Sequence, residues 1–285
     1  KLLYKIKMEN TYGNKLPFTE QLPSAHRSPV RTQEIDVPVQ QKSPELRNPF
    51  IIPGIRNLKI ESQLNANYSF DNFLEGDSNR LARSAGMAVA NKPGGTSFNP
   101  LLIFGGVGLG KTHLAHAIGV EIKDKYPDKT VLYISAEIFT QQYIESVKKN
   151  NRNDFIHFYQ LIDVLIIDDV QFLSGKTGTQ DVFFHIFNYL HQNGKQVILT
   201  SDKAPVDMQD IEQRLLSRFK WGLSAELHQP DYETRISILK NILYRDGVEI
   251  PEEIIEYVAR NIKSNVRELE GAIISLIAQS SFNKK

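Results

Sequence analysis

The stretch Leu-Leu-Ile-Phe-Gly-Gly-Val-Gly-Leu-Gly-Lys-Thr, residues 101–112, decides the fold. Its four apolar residues are typical of a buried strand, and they lead directly into the pattern G-x-x-x-x-G-K-[ST] at Gly105–Thr112. A helical pattern follows from Thr112 to Lys125, so the motif has the strand–loop–helix context of a phosphate-binding loop. The alternative, a glycine-rich turn before a helix, would match every fixed position and both flanks only by chance.

The loop residues suit a nucleoside triphosphate with Mg²⁺. The four glycines Gly105, Gly106, Gly108 and Gly110 let the backbone take positive φ and approach phosphate oxygens without a Cβ in the way. The successive N–H groups form an anion nest, and the helix N-terminus adds its dipole. We expect Lys111 to place its charge on the β- and γ-phosphates, Thr112 to ligate Mg²⁺, and His113 to sit near the phosphates.

Two further strands are expected to end in polar residues. Val164–Ile167 runs into Asp168 and Asp169, and ligands of open α/β sheets bind at that edge. We expect Asp168 to hold Mg²⁺ through water and Asp169 to orient or deprotonate the attacking water, although a strand can also end in Asp at a turn. The tip Thr200–Asp202 would lie beside the γ-phosphate if its strand neighbours the Asp168 strand. Otherwise a helix cap explains it.

Apolar runs alternate with amphipathic ones after Tyr68, which predicts an α/β fold with helices on both faces of a parallel five-stranded sheet. The expected strands are Leu101–Phe104, Thr130–Ile134, Val164–Ile167, Gln196–Thr200 and Leu223–Ala225. A first helix is expected to be capped by Asp77 or Ser78 and to end at Asn91. After Pro230 every pattern is helical, which predicts a small all-helical lid domain.

The first part of the chain differs in composition. Seven of the 13 prolines fall between Pro17 and Pro53, and such a stretch cannot bury enough apolar surface to offset its ordering entropy. We therefore predict a flexible linker over residues 8–64, an α/β nucleotide-binding core over 65–229 and the helical lid over 230–285. Residues 1–7 have the pattern of a strand. Because the chain does not begin with Met, we expect a fragment.

Composition excludes several classes of function. The sequence has no cysteine, which excludes disulfides, thiolate zinc sites and a cysteine nucleophile. A net charge of +1 provides no whole-protein field for nucleic acid, so any such contact needs a local patch. No apolar stretch approaches the roughly 20 residues of a membrane span, and we expect a cytoplasmic protein.

Several long motifs resemble AAA+ ATPases, and among them the DnaA family of bacterial replication initiators. They are the segment Tyr68–Asn79 and the stretches GGVGLGKTHLAHAIG, LIIDDVQFL, LTSD, QRLLSRFKWGL and SNVRELEGAI, which together span about residues 65–282. The resemblance implies a P-loop AAA+ fold, ATP or ADP with Mg²⁺ as cofactor, and weak ATPase activity that serves as a switch. It also implies that residues 1–7 are a remnant of an N-terminal interaction domain.

The resemblance assigns roles to further residues. Residues from Tyr68 to Asn79 would line the adenine pocket, Asp202 would take the sensor-1 position, and Arg267 would touch the γ-phosphate from the lid. Arg218 matches the arginine finger that reaches the ATP of a neighbouring subunit, and Arg214, four residues earlier on the same helix face, contributes to that interface. A solvated surface residue is the alternative for any one of these arginines.

A helical pair at about Glu137–Tyr159 resembles the insert that marks initiators. In the family, this insert and the turn after the Asp168 strand hold the backbone of single-stranded DNA. Ile144, Lys176 and Thr179 fall at matching places, and Lys148 adds charge on the insert. The sequence departs from the family at Gly178, where relatives often carry a basic residue. A solvated basic helix end is the alternative.

The resemblance implies an ATP-dependent replication initiator that forms a head-to-tail helical oligomer and engages single-stranded origin DNA. The resemblance implies that the replicative helicase is reached through the missing N-terminal domain, and it leaves contact with acidic phospholipids open. No helix-turn-helix domain follows the lid, so specific duplex binding is not expected. The alternatives are a helicase loader or regulatory AAA+ relative, and a nucleotide-gated assembly module that does not hydrolyse ATP.

Overall fold

The structure is a computed structural model that describes residues 60–283. Its helices are α1 (Arg80–Asn91), α2 (Lys111–Lys125), α3 (Ala136–Lys148), α4 (Arg152–Gln160), α5 (Thr177–Gln192), α6 (Gln213–Phe219), α7 (Tyr232–Arg245), α8 (Glu252–Asn261) and α9 (Val266–Asn283). Its strands are β1 (Leu101–Gly105), β2 (Val131–Ser135), β3 (Val164–Asp168), β4 (Gln196–Ser201) and β5 (Leu223–Leu227). The predictions for residues 1–7 and 8–59 lie outside the described residues.

The five strands form one parallel sheet in the order β2-β3-β4-β1-β5. Every residue of β3 and β4 is buried, as expected for parallel strands covered on both faces. The predicted fold class is therefore confirmed. Because β4 pairs with both β1 and β3, the polar tip of β4 lies between the phosphate-binding loop and the Asp168 strand.

Helices cover both faces of the sheet. One hydrophobic cluster packs α3–α6 against one face, and a second packs α1 and α2 against the other. The predicted helical pair of the insert is α3 and α4, between β2 and β3. Its two helices pack against each other, since Phe139 of α3 meets Phe155 and Tyr159 of α4 edge to face at 5.3 and 5.0 Å between ring centres.

The start of α1 differs from the prediction. Neither Asp77 nor Ser78 caps this helix, whose N-cap residue is Asn79 and makes no side-chain cap hydrogen bond. Instead, Asn79 Oδ1 accepts from the Gly76 amide at 3.0 Å and its Nδ2 donates to the Leu74 carbonyl at 2.8 Å. The side chain therefore holds the loop that precedes the helix, and a capping rule based on residue type alone places the helix start too early.

Residues 60–64, at the end of the predicted linker, contact the α/β core. The Tyr133 amide donates to the Ser62 carbonyl at 2.9 Å, so this segment covers β2, which is an edge strand of the sheet. Ile60 and Leu64 pack against the clusters on opposite faces. These contacts hold residues 60–64 against the core, and the predicted boundary of the linker at residue 64 stays a prediction.

The helices after Pro230 have a hydrophobic cluster of their own. Leu239 and Ile242 of α7, Val258 of α8, and Leu269 and Ile273 of α9 are among its buried members. This separate cluster supports the predicted helical lid. Within residues 60–283, no helix is both long and apolar enough to cross a membrane.

Candidate active site

Three of the four glycines in the motif that forms the loop between β1 and α2 have the predicted positive φ, namely Gly105, Gly108 and Gly110, whereas Gly106 does not. Gly108 and Gly110 have φ of 76° and 95°, values that disfavour residues with a Cβ. A Cβ on Gly110 would also lie 3.0 Å from a ring carbon of Phe73. Among the described residues, no acceptor takes a hydrogen bond from the amides of residues 107–110. These amides are therefore free to bind an anion at the start of α2.

Lys111 is buried behind this loop, with only 5% of its surface exposed. Its ammonium donates to the carbonyls of Gly105 at 2.9 Å and Gly106 at 2.8 Å, and it forms an ion pair with Asp202 at 2.6 Å. A buried cation requires such partners. Asp202 at the β4 tip therefore reaches the loop lysine directly, and its place beside the γ-phosphate stays a prediction.

Asp168, at the end of β3, is 4% exposed and accepts hydrogen bonds from three hydroxyl groups. Oδ2 accepts from Thr112 at 2.9 Å and from Tyr133 at 2.6 Å, while Oδ1 accepts a short hydrogen bond from Thr200. The two predicted metal-binding residues, Thr112 and Asp168, are thus in direct contact. Their remaining oxygen lone pairs form a small oxygen site of the kind that hard cations prefer.

Asp169 has a left-handed backbone with φ of 58°, which is uncommon outside glycine and frequent at functional sites. Its amide donates to Thr200 Oγ1 at 2.9 Å, and its carboxylate accepts from Gln171 Nε2 at 3.0 Å. Burial raises the pKa of the Asp169 carboxyl, the hydrogen bond from Gln171 opposes this, and repulsion from Asp168 adds to it. A carboxylate with a raised pKa is a better proton acceptor.

A cavity of about 170 Å³ lies between the α/β core and the helical lid. We call it the phosphate cavity because it adjoins the loop at Gly105–Thr112. Its lining brings together Tyr68, Gly108, Gly110, Lys111, Thr112, His113, Asp169, Asp202 and Arg267 among others. The Val266 amide, at the start of α9, donates to the Gly108 carbonyl at 3.0 Å. Arg267 is exposed here, and its guanidinium contacts no acceptor among the described residues. The lid therefore touches the loop and presents a free cation to the cavity.

A second cavity of about 130 Å³ adjoins the first, since Tyr68, Gly110 and His113 line both. The structure also brings Asn79 to its wall. The Tyr68 and His113 rings lie 4.7 Å apart, and Phe73 meets His113 edge-on at 5.3 Å. This wall of rings and amides suits a planar heterocyclic base. The adenine role of Tyr68 and Asn79 stays a prediction.

His113 is tied to the segment that forms this wall. Its Nε2 lies 2.7 Å from Asn72 Oδ1 and 3.2 Å from the Ser69 carbonyl, and both are acceptors. Nε2 must therefore carry the proton. Burial lowers the pKa of His113, so the ring is neutral at physiological pH. This neutral ring lines the same cavity as Lys111 and Thr112, and its place near the phosphates stays a prediction.

Sequence reasoning missed the contribution of α7 to the second cavity. The lid forms one side of this cavity with four residues of α7, which are Ile238, Asn241, Ile242 and Arg245. Their spacing of three and four residues places them on one helix face. That spacing was visible in the sequence, but nothing in it indicated that this face meets a ligand cavity instead of the lid interior.

The α6 arginines lie elsewhere. Arg218 and Arg214 are absent from the described linings of both cavities. The Arg218 guanidinium lies over the Trp221 ring at 4.6 Å, and its buried Nε has no hydrogen-bond partner. Arg214 forms ion pairs with Asp181 and Glu212. The charge of Arg214 is thus already paired, whereas Arg218 retains unused donors.

Only some of the predicted DNA-binding residues lie on an exposed surface. Ile144 and Lys148, four residues apart on α3, are exposed, and Lys176 is half-buried just before α5. The two helices meet here, since a Cβ on Gly178 would lie 3.8 Å from the Tyr143 ring. Thr179 is 4% exposed, so its side chain is not on this surface. Its role in DNA contact stays a prediction that its burial argues against.

Comparisons with known proteins agree with this geometry. The family model for the bacterial DnaA ATPase domain matches residues 64–226. The chromosomal replication initiator protein DnaA of Flavobacterium psychrophilum is 98% identical over 285 residues, which are the whole of this chain and 60% of that protein. The chain thus spans about three-fifths of the length of this relative.

Solved structures give the same relation. Domain III of the Thermotoga maritima replication initiation protein DnaA is 45% identical with a TM-score of 0.75, and the match covers 79% of this chain and 93% of that one. A replication initiator DnaA bound to AMPPCP and single-stranded DNA is 42% identical with a TM-score of 0.70, over 75% of this chain and 66% of that one. This chain therefore belongs to the bacterial DnaA ATPase domain family.

Proposed function

We propose that this chain binds ATP with Mg²⁺ between core and lid and hydrolyses it slowly. The nucleotide state controls head-to-tail assembly on single-stranded origin DNA, as part of an ATP-dependent replication initiator. The helicase loader and the regulatory relative are less well supported, because the matched family is that of the initiator ATPase domain. A domain beyond this chain would contact the replicative helicase.

The observation that carries this proposal is the shared lining of the phosphate cavity. Lys111 and Asp169 reach it from the core, and Arg267 reaches it from the lid. The lid also donates to the loop itself, from the Val266 amide to the Gly108 carbonyl. A ligand that interacts with both parts shifts their relative arrangement only if it interacts differently with two states, and the γ-phosphate is the difference between ATP and ADP.

The residues present fit Mg²⁺ together with a nucleotide. Thr112 Oγ1 and Asp168 Oδ2 are 2.9 Å apart and are both hard oxygen donors. Within residues 60–283, no group of three or more His, Asp or Glu side chains could hold a metal alone. Mg²⁺ usually keeps several waters and takes one or two protein ligands plus phosphates, and when bound it neutralises the charge on the β- and γ-oxygens.

The residues of this chain would act by position and charge. The free amides of residues 107–110 and the Lys111 ammonium bind phosphate oxygens, and Lys111 exchanges at least part of its present bonding to do so. Asp169 accepts a proton from the attacking water, which its raised pKa favours. Arg267 meets the γ-phosphate from the lid, and a planar guanidinium suits that contact.

The assembly and the DNA partner come from the family. The relative bound to AMPPCP and single-stranded DNA supports both ligands for this chain, at 42% identity. The unpaired Arg218 donors support a role in completing a neighbour's site. Such a contact joins different surfaces of two copies and need not close, so it forms open helical filaments.

Replacing Arg267 tests whether the lid senses the γ-phosphate. We expect Arg267→Ala to weaken ATP binding about tenfold or more while changing ADP binding less than about threefold, because the guanidinium would lose a charge-assisted contact. Titration calorimetry with ATPγS and ADP measures both. Arg260→Ala is the matched control, since Arg260 is an exposed lid arginine that pairs with Glu256 at 3.0 Å away from the cavity lining. Equal losses for both nucleotides would contradict the sensing role.

Variants of the surface formed by Ile144, Lys148 and Lys176 test whether this surface binds single-stranded DNA. We expect single-stranded DNA binding to need ATP and to fall steeply with salt, and the double variant Lys148→Ala with Lys176→Ala to lower the salt slope by about one to two. Fluorescence anisotropy of a labelled oligonucleotide at several salt concentrations measures this. Lys240→Ala, on α7, is the control. Equal binding with ADP would refute the coupling between nucleotide and DNA.

A further inference from the structure

Tyr133 is a half-buried residue of β2 that makes direct contact with the active-site carboxylate. Its hydroxyl donates to Asp168 Oδ2 at 2.6 Å. The same oxygen accepts from Thr112 at 2.9 Å. Neither the phosphate-loop motif nor the two acidic residues indicates a role for β2, so the contact adds a new member to the site.

The strand register explains why this tyrosine reaches Asp168. Tyr133 pairs with Ile166, two residues before Asp168, and residues two apart lie on the same face of a strand. Thr200 belongs to β4 on the other side of β3, and its hydroxyl reaches Oδ1 from there. The Asp168 carboxylate is therefore held between two neighbouring strands, with Thr112 above it from α2.

We propose that Tyr133 is a positioning residue that fixes Asp168 and, through it, the Thr112 hydroxyl for Mg²⁺ binding. This inference rests on the proposed nucleotide and Mg²⁺ function of the site. Groups that bond to metal-binding carboxylates orient them, and their loss typically lowers metal affinity 10–100-fold.

Counting protons supports this role. Each hydroxyl has one proton, and those of Tyr133, Thr112 and Thr200 are all directed to Asp168. When the Thr112 hydroxyl donates its hydrogen bond to Oδ2, the oxygen lone pairs of Thr112 remain available to a cation. Without the Tyr133 hydroxyl, Oδ2 would keep Thr112 as its one donor and Oδ1 would keep Thr200, so the carboxylate and the Thr112 hydroxyl bonded to it would be held less tightly.

The tyrosine is itself firmly held. Its ring stacks on that of His116 at 3.9 Å between centres, and the Asn65 amide donates to His116 Nδ1 at 3.2 Å. Burial lowers the pKa of His116, so the ring stays neutral and Nδ1 remains an acceptor. Burial and the contact with Asp168 raise the pKa of Tyr133, so its hydroxyl remains a donor. The chain of contacts runs from the segment before α1 to the metal-binding carboxylate.

The Tyr133→Phe variant of the full chain tests the proposal, because it removes the hydroxyl and keeps the ring that stacks on His116. We measure the affinity for a fluorescent ATP analogue in EDTA and across a Mg²⁺ titration. The expected result is an unchanged affinity in EDTA and an approximately tenfold higher Mg²⁺ concentration at half-effect. Tyr126→Phe is the matched control, since Tyr126 is also half-buried and its hydroxyl donates to the Asn91 carbonyl at 2.5 Å.

A double-mutant cycle separates positioning from general loss of stability. If Tyr133 acts through Asp168, Tyr133→Phe on an Asp168→Asn background adds no further change in the Mg²⁺ half-effect concentration. A half-effect concentration of Tyr133→Phe equal to wild type, or one shifted as far in Tyr126→Phe, overturns the proposal. If the wild type does not turn over ATP, the proposed hydrolysis is wrong. The role of Tyr133 can still be tested, because the Mg²⁺ titration measures binding and not turnover.

Discussion

We expect Asp169→Ala to lower the turnover of ATP by about 100-fold or more while nucleotide affinity stays within about threefold of wild type. The reason is that Asp169 lines the phosphate cavity without holding Lys111 or Thr112, which take Asp202 and Asp168 as their acidic partners. Single-turnover assays with radiolabelled ATP measure the rate even when it is slow.

Two further variants show whether the loss is chemical. Asp169→Asn keeps the shape of the side chain and an acceptor for Gln171, and it should lose as much turnover as the alanine variant because an amide accepts no proton. Asp124→Ala, an exposed aspartate near the end of α2, should match wild type. An Asp169→Asn rate within about tenfold of wild type would rule out Asp169 as the base. Failure of wild type to turn over at any concentration would favour the non-hydrolysing assembly module.

The pH dependence has a definite sign. Burial raises the pKa of Asp169 above the ordinary value of an aspartate, and only the ionised carboxylate accepts a proton. Turnover should therefore be lost as the pH falls through this raised pKa, while it is retained at higher pH. Nucleotide binding measured in parallel should persist across that fall, since the free loop amides do not titrate.

The strands and the loop could be predicted because their physical cause is local. Apolar runs such as Val164–Ile167 must be buried on both faces, and the glycines of Gly105–Thr112 fit a loop with positive φ. The predicted strand bounds agree with the structure to within two residues. The ion pair between Lys111 and Asp202 needed one more fact, which is that β4 lies between β1 and β3.

What could not be predicted depends on contacts between segments distant in the chain. Tyr133 meets Asp168 only because β2 pairs with β3 in the register that sets Tyr133 against Ile166, and a single residue of slip would place Tyr133 on the other face. The prediction that Asp77 or Ser78 caps α1 was wrong for a similar reason. The side chain of Asn79 bonds within the preceding loop, and residue type alone cannot show which partner an amide takes.

The second large effect concerns Arg218, which lies outside the cavities of its own chain. We expect Arg218→Ala to abolish the increase in self-association that ATP produces and to lower any assembly-dependent turnover by a factor of about 10³ or more. Nucleotide affinity of the dilute monomer should stay within about threefold, because Arg218 lines neither described cavity. Sedimentation velocity with ATP and with ADP over a range of protein concentrations measures assembly.

The environment of Arg218 supports a contact with another subunit. Its guanidinium lies over Trp221, which is 57% exposed, and a buried Nε without an acceptor is unfavourable by about 1–3 kcal/mol. Arg214, by contrast, already pairs with Asp181 and Glu212, so Arg214→Ala should reduce assembly less. The paired state of Arg214 and the unused donors of Arg218 agree with the different roles that the resemblance implies for them.

Two more variants decide between charge and shape at this position. Arg218→Lys keeps the charge and loses the planar fork that binds phosphate oxygens in pairs, so we expect it to restore little of the ATP-dependent assembly. Lys220→Ala removes an exposed cation next to α6 and should assemble as wild type does. A large loss of nucleotide affinity in the Arg218→Ala monomer would mean that this arginine serves the site of its own chain, and the role in a neighbouring subunit would have to be abandoned.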